Sequence, residues 1–297
     1  MKSEAPAPVS GARLYSMVAF MIVSWALNFV IGKIALREIP PLVLPGIRIA
    51  IATLCLIPIY CWRRPKQSFR REDLPRLAIV SLAGITFNQF FFIAGLSRTS
   101  VAHMAVFIAI TPILVLIMAA AIGQERFTFP KIAGMIVAMS GVLALELSRG
   151  NEGLATPLGD FLAFLGTVAF SIYTVLGKTL ATRYGSVPMN MLAYSIGTVT
   201  LLPLSWRERA TFHISQVSAT GWWSLAYMAV FSSVIAYLVY YYALARMPAS
   251  RLSAFTYVEP VLAAILGYWI LGEPVTWTLA VGGILVLAGV WVAERAA

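Results

Sequence analysis

The side chains best suited to chemistry in this chain are the few ionisable groups inside apolar stretches. Glu259 is the only carboxylate placed deep in such a stretch. It follows Arg251 and Phe255 at intervals of four residues, so the three share one helix face. Because hydrocarbon disfavours the ionised form of a carboxyl, we predict that Glu259 recognises a charged solute or binds a proton. The alternative is a structural ion pair or a hydrogen-bonded carboxyl between helices.

The same pattern occurs earlier in the chain. An offset of 148 residues maps His103, Phe107 and Thr111 onto that face. A proline follows each copy, Pro112 in the first and Pro260 in the second, and each removes one backbone N–H from its helix. Matched interruptions in two halves of a chain are typical of a transport site, so both prolines are predicted hinges. A tolerated kink is the alternative, because proline is common in membrane helices.

Amide and aromatic side chains supply further cavity candidates. Asn88 and Phe92 share a face of one apolar stretch, Tyr237 and Tyr241 share a face of another, and Tyr257 lies close to Glu259 in sequence. Such a mixture suits an amphipathic organic solute, although each residue alone could serve packing or interhelical hydrogen bonding. The predicted cavity comprises Trp25, Asn28, Asn88, Phe92, His103, Thr111, Tyr173, Tyr237, Tyr241, Tyr257 and Glu259.

A second register, with an offset of 145, aligns the stretch Trp25 to Lys33 with the stretch Phe170 to Lys178. The two lysines stand near helix ends, where they are predicted to extend to the lipid headgroups.

For Arg48, a structural pair, a carbonyl cap and a substrate contact all remain open. Glu125 and Glu273 are interpreted as turn and helix-start residues. Four glycines are predicted to permit close helix packing; they are Gly134, Gly141, Gly282 and Gly289.

The elements that position these groups must be membrane helices. The chain is 60% hydrophobic and 11% charged, far below the charge of a soluble domain. Apolar stretches long enough to span a bilayer recur throughout the chain. These stretches must be helical, because lipid supplies no hydrogen-bond partner for backbone N–H and C=O groups. The predicted spans are 14–35, 42–62, 76–96, 101–122, 130–147, 158–180, 187–206, 220–244, 251–271 and 275–293.

Five spans in each copy would turn the second copy upside down relative to the first, as in many secondary transporters. We therefore predict an all-α membrane protein of ten transmembrane helices in two inverted five-helix repeats. A disordered tail covers residues 1–12, the first repeat 13–148 and the second 149–297. With cytoplasmic termini, 14 Lys and Arg face the cytoplasm and 6 face the other side. This asymmetry explains the net charge of +10 better than a nucleic-acid partner does.

Several other functions lack the residues that they need. Gly177-Lys178-Thr179 resembles the end of a phosphate loop, but Ile172 stands where the pattern needs glycine. The two histidines lie on different segments, and Cys55 and Cys61 lie on one span without facing each other. The sequence therefore predicts no catalytic group, no metal site and no cofactor.

Taken together, these motifs resemble the EamA family of the drug/metabolite transporter superfamily. The resemblance rests on Trp25-x-x-Asn28, Arg48, Pro112 before Gly123-Gln-Glu125, and Pro260 before Leu-Gly272-Glu273, and it covers nearly the whole chain. It implies a bacterial inner-membrane carrier with a cavity between helices 1–4 and 6–9 and with helices 5 and 10 at the periphery. The halves differ, since Thr111 corresponds to Glu259, so the two gates are expected to be chemically unequal.

We expect a secondary transporter that exports amino acids or related metabolites, acting as a monomer or a homodimer in lipid. Its partners are a small-molecule substrate and, as a candidate, a coupling proton. The alternatives are efflux of lipophilic cations, which a single acid inside the membrane would suit, and a membrane-embedded enzyme or receptor.

Overall fold

Helices account for most of the residues that the structure describes. The computed structural model describes residues 10–63, 68–99, 101–148, 156–208, 212–271 and 277–295, and these contain no β-strand. Their α-helices are α1 (Gly11–Ala35), α2 (Leu44–Arg63), α3 (Leu74–Ser81), α4 (Asn88–Leu96), α5 (Val101–Ala109), α6 (Thr111–Ala121), α7 (Phe129–Ser148), α8 (Pro157–Tyr184), α9 (Ser186–Ser205), α10 (Ala219–Tyr227), α11 (Ala236–Leu244), α12 (Ala249–Ala254), α13 (Val258–Leu271) and α14 (Trp277–Arg295).

The helices confirm an all-helical membrane protein. Among the described residues, six helical stretches are long and apolar enough to cross a membrane. They are Gly11–Ala35, Leu44–Arg63, Arg71–Leu96, Pro157–Tyr184, Ser186–Glu208 and Ala219–Leu244. Two shorter apolar helices cover Val106–Ala121 and Phe129–Ala144. Glu273 and most of the predicted tail lie outside the described residues, but α1 already begins at Gly11, two residues inside that tail, with Ser10 capping it.

Both predicted proline sites coincide with breaks in a helix. The first break falls at Ile110, between α5 and α6, and Pro112 occupies the first turn of α6. The second is the 3-10 turn Phe255–Tyr257, between α12 and α13, and Pro260 follows in the first turn of α13. Proline is tolerated in a first turn because the N–H groups there have no helical partner.

Two further irregularities, which the sequence analysis did not foresee, are π-helical. They are Leu82–Phe87, between α3 and α4, and Met228–Ile235, between α10 and α11. The two segments correspond under the same offset of about 148 residues that relates the prolines. Short π-helical segments are frequently found at functional sites. Each of these leads directly into a helix that carries predicted cavity residues, Asn88 in α4 and Tyr237 in α11.

Glycines bring α7 and α14 into close contact, as predicted. Gly134 lies against Gly289 and Ala293, whereas Gly141 lies against Gly282 and Val286, so the two helices run antiparallel. Their opposite faces carry exposed apolar side chains, among them Ile136 at 60% and Ile284 at 67% exposure. Such a face is suited to lipid, which fits the expected peripheral position of this pair.

The helices α2 and α9 also pack antiparallel. Gly46 approaches Leu201 and Ser205, while the Thr53 and Thr198 hydroxyls, 145 residues apart, hydrogen-bond at 2.8 Å. Since a small residue lies at one end of this contact and a hydroxyl pair at the other, the helices associate through close packing and hydrogen bonding.

The two lysines predicted to reach the headgroups instead bind helix ends. Lys33 Nζ donates to Thr99 O, just after α4, at 2.8 Å. Lys178 Nζ donates to Leu244 O, at the end of α11, at 2.9 Å, and also to Met247 O. The last carbonyls of a helix have no partner within it and carry partial negative charge. A cation held there satisfies them, which explains why both side chains turn inward.

Candidate functional site

A cavity of about 80 Å³ lies among the central helices. A volume of this size holds several water molecules, so the side chains fit closely around it in this conformation. Its lining combines rings and aliphatic groups with amides, hydroxyls and two opposite charges. The lining residues are Trp25, Asn28, Phe29, Arg48, Asn88, Gln89, Phe92, Met104, Ile108, Thr111, Ala163, Gly166, Thr167, Phe170, Tyr237, Thr256 and Glu259.

Most of the predicted cavity residues meet at this cavity, although they come from both halves of the chain. Seven of them line it: Trp25, Asn28, Asn88, Phe92, Thr111, Tyr237 and Glu259. Tyr173, Tyr241 and Tyr257 do not line it and are fully buried elsewhere. The His103 side chain lies outside the described part of the structure. Pro112 and Pro260 stand next to the lining residues Thr111 and Glu259, so each helix break opens beside the cavity.

A hydrogen-bonded triad joins the halves on one wall. Gln89 Nε2 donates to the Tyr237 hydroxyl at 2.8 Å, and that hydroxyl donates to Asn88 Oδ1 at 3.2 Å. Asn88 Nδ2 in turn donates to Gly166 O at 3.1 Å. Gln89 and Tyr237 are 148 residues apart, so they are repeat-related positions in direct contact. Because each donor has an acceptor, the triad fixes the rotamers of three polar groups that face the cavity.

Arg48 is the lining residue whose role the sequence left open. Its side chain comes from α2 and is 2% exposed. Nε donates to Ser233 Oγ, in the second π-helical segment, at 2.8 Å, whereas Nη1 has no hydrogen-bond partner. An arginine in the middle of an apolar span was itself the available signal, since such residues usually face a cavity or a partner.

Glu259 is buried in the same cavity, at 3% exposure. Its Oε1 atom has no hydrogen-bond partner. The ion pairs found among the described residues include neither Glu259 nor Arg48. Glu259 stands in the first turn of α13, directly after the 3-10 turn. The break before Pro260 therefore places this carboxyl in the cavity without a counter-ion among the described residues.

Packed aromatic rings lie at one side of the cavity. Trp25 and Phe170 line it, and their rings pack at 5.8 Å between centroids. Tyr173 and Tyr241 lie behind them at 4.7 Å from each other, without exposure. A Cβ atom added at Gly84 would lie 1.8 Å from the Tyr173 ring, so this ring presses directly on the first π-helical segment. These two tyrosines thus form a packed plug beyond the cavity, and Tyr257 packs in a separate core with α7 and α14.

Polar contacts join the helix ends beyond the plug. Arg251, the counterpart of His103, pairs with Glu294, and its Nη2 also donates to the Tyr15 hydroxyl at 2.7 Å. In the loop after α6, Glu125 accepts from Ser250 N at 3.0 Å and from Lys131 Nζ at 2.9 Å. Burial opposes the ionised form of Glu125, but the bonds from Ser250 and Lys131 prevail and lower the pKa of this carboxyl. Glu125 therefore caps the start of α12, in agreement with its predicted structural role.

Comparisons with known proteins agree with this architecture. The model of the EamA-like transporter family matches residues 13–147 and again residues 157–294. An uncharacterized transporter of Archaeoglobus fulgidus is 31% identical, over 94% of this chain and 98% of its own. A protein of Streptantibioticus cattleyicolor named a probable terminal-alkyne amino-acid exporter is 30% identical, over 92% of this chain and 91% of its own.

A solved crystal structure shares the fold. It superposes with a TM-score of 0.79, covering 97% of this chain and 98% of that one, at 18% sequence identity. The helical arrangement described above is therefore one that a solved protein also adopts.

Proposed function

The chain belongs to the EamA-like transporter family, and we propose that it exports amino acids or related small metabolites by alternating access. Its relatives are named as transporters, so the protein is a multi-pass membrane transporter and not an enzyme. The name of the Streptantibioticus cattleyicolor relative supports amino acids as the substrate class and export as the direction.

The observation that carries this proposal is the position of the cavity at two matched helix breaks. Thr111 and Glu259 line it, and each belongs to the first turn after a break. Discontinuous helices in both halves of a carrier typically frame the substrate site, because irregular backbone is tolerated where it borders a cavity. Rocking of the halves around these breaks would expose the cavity to either side in turn.

Ten spans in two inverted repeats are the topology that we propose. Three observations support it. The family model matches each half separately. The repeat-related helices α7 and α14 run antiparallel. Lys33 and Lys178 bind equivalent helix ends, each 66 residues further along the chain. The excess of basic residues supports cytoplasmic termini in a bacterial inner membrane.

Glu259 is the proposed coupling residue. It is buried and unpaired in the cavity, so protonation and substrate binding would compete for one group. Efflux of a lipophilic cation is the alternative that this carboxylate favours. Arg48 opposes that alternative, because it places a positive charge in the same cavity.

Counterflow in proteoliposomes tests the proposal. Vesicles loaded with unlabelled amino acids should accumulate the labelled amino acid when they contain the purified protein, and protein-free vesicles should not. Glu259→Gln should abolish proton-driven accumulation and retain exchange, whereas Glu72→Gln, at a carboxylate with 67% exposure, should change neither. Absence of counterflow for every amino acid would refute the proposed function, and wild-type pH dependence in Glu259→Gln would refute proton coupling through this group.

A further inference from the structure

Two buried groups of opposite charge share the cavity without pairing with each other. Arg48 is 2% and Glu259 3% exposed, and both line the cavity. Each keeps a polar atom without a partner, Nη1 and Oε1 respectively. An unpaired charge inside a protein in a membrane is strongly unfavourable, so such groups usually pair or bind an ion or a substrate. These two groups therefore lack complementary partners of opposite sign.

Arg48 is anchored in a way that leaves one edge of the guanidinium available. Its Nε edge is held by Ser233 Oγ at 2.8 Å, while Nη1 remains unpartnered. A planar guanidinium offers donors in a fork that matches the two oxygens of a carboxylate. The anchor fixes the direction of this fork, because Ser233 belongs to a buried π-helical segment. Arg48 is thus prepared to bind an anionic group in the cavity.

Glu259 is the acceptor at the other charged position. It stands in the first turn of α13, and no cation of the described residues pairs with it. A solute with one charge would satisfy either Arg48 or Glu259 and leave the other buried without a counter-ion. A solute with both charges satisfies the two together.

Building on the proposed function, we propose that the cavity selects zwitterions, with Arg48 binding the anionic group and Glu259 the cationic group. The remaining lining includes an apolar part, formed by Phe29, Phe92, Met104 and Ile108. This part of the lining suits an aliphatic or aromatic side chain, because apolar surface buried there removes no polar group from water. The substrate class is accordingly an apolar α-amino acid rather than an organic cation or anion.

Competition for counterflow by matched analogues tests the selection of two charges. L-leucine is compared with 3-methylbutylamine, which lacks its carboxylate, and with 4-methylpentanoate, which lacks its amine. L-phenylalanine is compared in the same way with phenethylamine and 3-phenylpropionate. In at least one series, the amino acid should compete about 10- to 100-fold better than both analogues, the factor typical of one hydrogen bond to a charged group. Equal competition by a single-charge analogue in both series, or none by either amino acid, would overturn the inference.

Charge-removing variants test which residue recognises which group. Arg48→Gln should no longer prefer the amino acid to the amine analogue, which lacks the carboxylate. Glu259→Gln should no longer prefer the amino acid to the carboxylate analogue, which lacks the amine. Arg70→Gln and Glu72→Gln provide matched controls, because these residues form an ion pair at the surface with 57% and 67% exposure. Both preferences should be unchanged in the controls. Loss of both preferences in either cavity variant, with a normal unfolding temperature, would contradict the separate roles.

Two milder variants test the role of Arg48 even if Arg48→Gln does not fold. Arg48→Lys keeps the charge but loses the fork, so it should retain a reduced preference over the amine. Ser233→Ala keeps the guanidinium and removes its anchor. It should weaken competition by the amino acid more than competition by the amine analogue. Unchanged preferences in both variants would also overturn the inference. Transport of tetraphenylphosphonium at the same rate with and without Arg48→Gln would overturn the inference, although the protein would still be a carrier. The proposed function itself fails only if no amino acid undergoes counterflow.

Discussion

Gly289 is the position where a single methyl group should do most harm to the helix pair α7 and α14. A Cβ atom there would lie 2.3 Å from Ala138 N and 2.5 Å from Gly134 O. Both neighbours are backbone atoms of α7, which cannot move aside as the end of a side chain can. Ordinary van der Waals contacts of a Cβ begin at 3.4 Å, so the two helices would have to separate by about 1 Å.

The expected effect of Gly289→Ala is the difference between two opposing contributions. Alanine favours a helix over glycine by about 1 kcal/mol. Overpacking a close contact typically destabilises by about 1–3 kcal/mol, and loss of close helix contact along α14 adds to this. Gly283→Ala is the matched control on the same helix, because its Cβ would meet only Val261 Cγ1 at 3.6 Å, an ordinary distance. We expect Gly289→Ala to be destabilised and Gly283→Ala to be unchanged or stabilised.

Thermal unfolding of the purified protein in detergent measures the difference. The unfolding temperature of Gly289→Ala should fall below that of the unmodified protein, and that of Gly283→Ala should not. An equal unfolding temperature in the two variants would refute the reasoning, because it would mean that α7 and α14 do not approach as closely as the contact at Gly289 requires.

Three other predictions follow from the fold and the site. Single cysteines at Ser68 and Ser148 should be labelled from opposite sides of the membrane, and labelling of both from one side would refute the inverted topology. Tyr237→Phe removes a hydroxyl that joins the halves, so transport should fall about tenfold while folded protein remains in the membrane, whereas Tyr241→Phe, outside the cavity lining, should transport normally. The pKa of Glu125 is lowered from 4.5, so its stabilising contribution is complete above that pH and is lost as pH falls through the lower folded value. Between about pH 7 and pH 3, the unfolding temperature should therefore fall less in Glu125→Gln than in the unmodified protein. An equal fall in the two proteins would contradict this.

The sequence by itself determined the class of protein, the positions of the helix breaks and most of the cavity. Composition requires helices, because lipid cannot satisfy an exposed backbone. Proline removes an N–H wherever it stands, so the breaks before Pro112 and Pro260 are local consequences of residue type. Repeat spacing and the rarity of charge in apolar stretches then singled out Glu259, and the structure places it in the cavity.

Only the tertiary structure decided which polar groups face the cavity and which pack against other helices. Tyr173, Tyr241 and Tyr257 have the same residue type as Tyr237, but they are buried away from the lining because neighbours such as Gly84 leave room for a ring there. Arg48 has no distinguishing neighbour in sequence, and its direction depends on Ser233, 185 residues away. The π-helical segments likewise have no residue signature, since they depend on how the flanking helices pack. Periodicity assigns a residue to a helix face, but the partner of that face is set by contacts between distant parts of the chain.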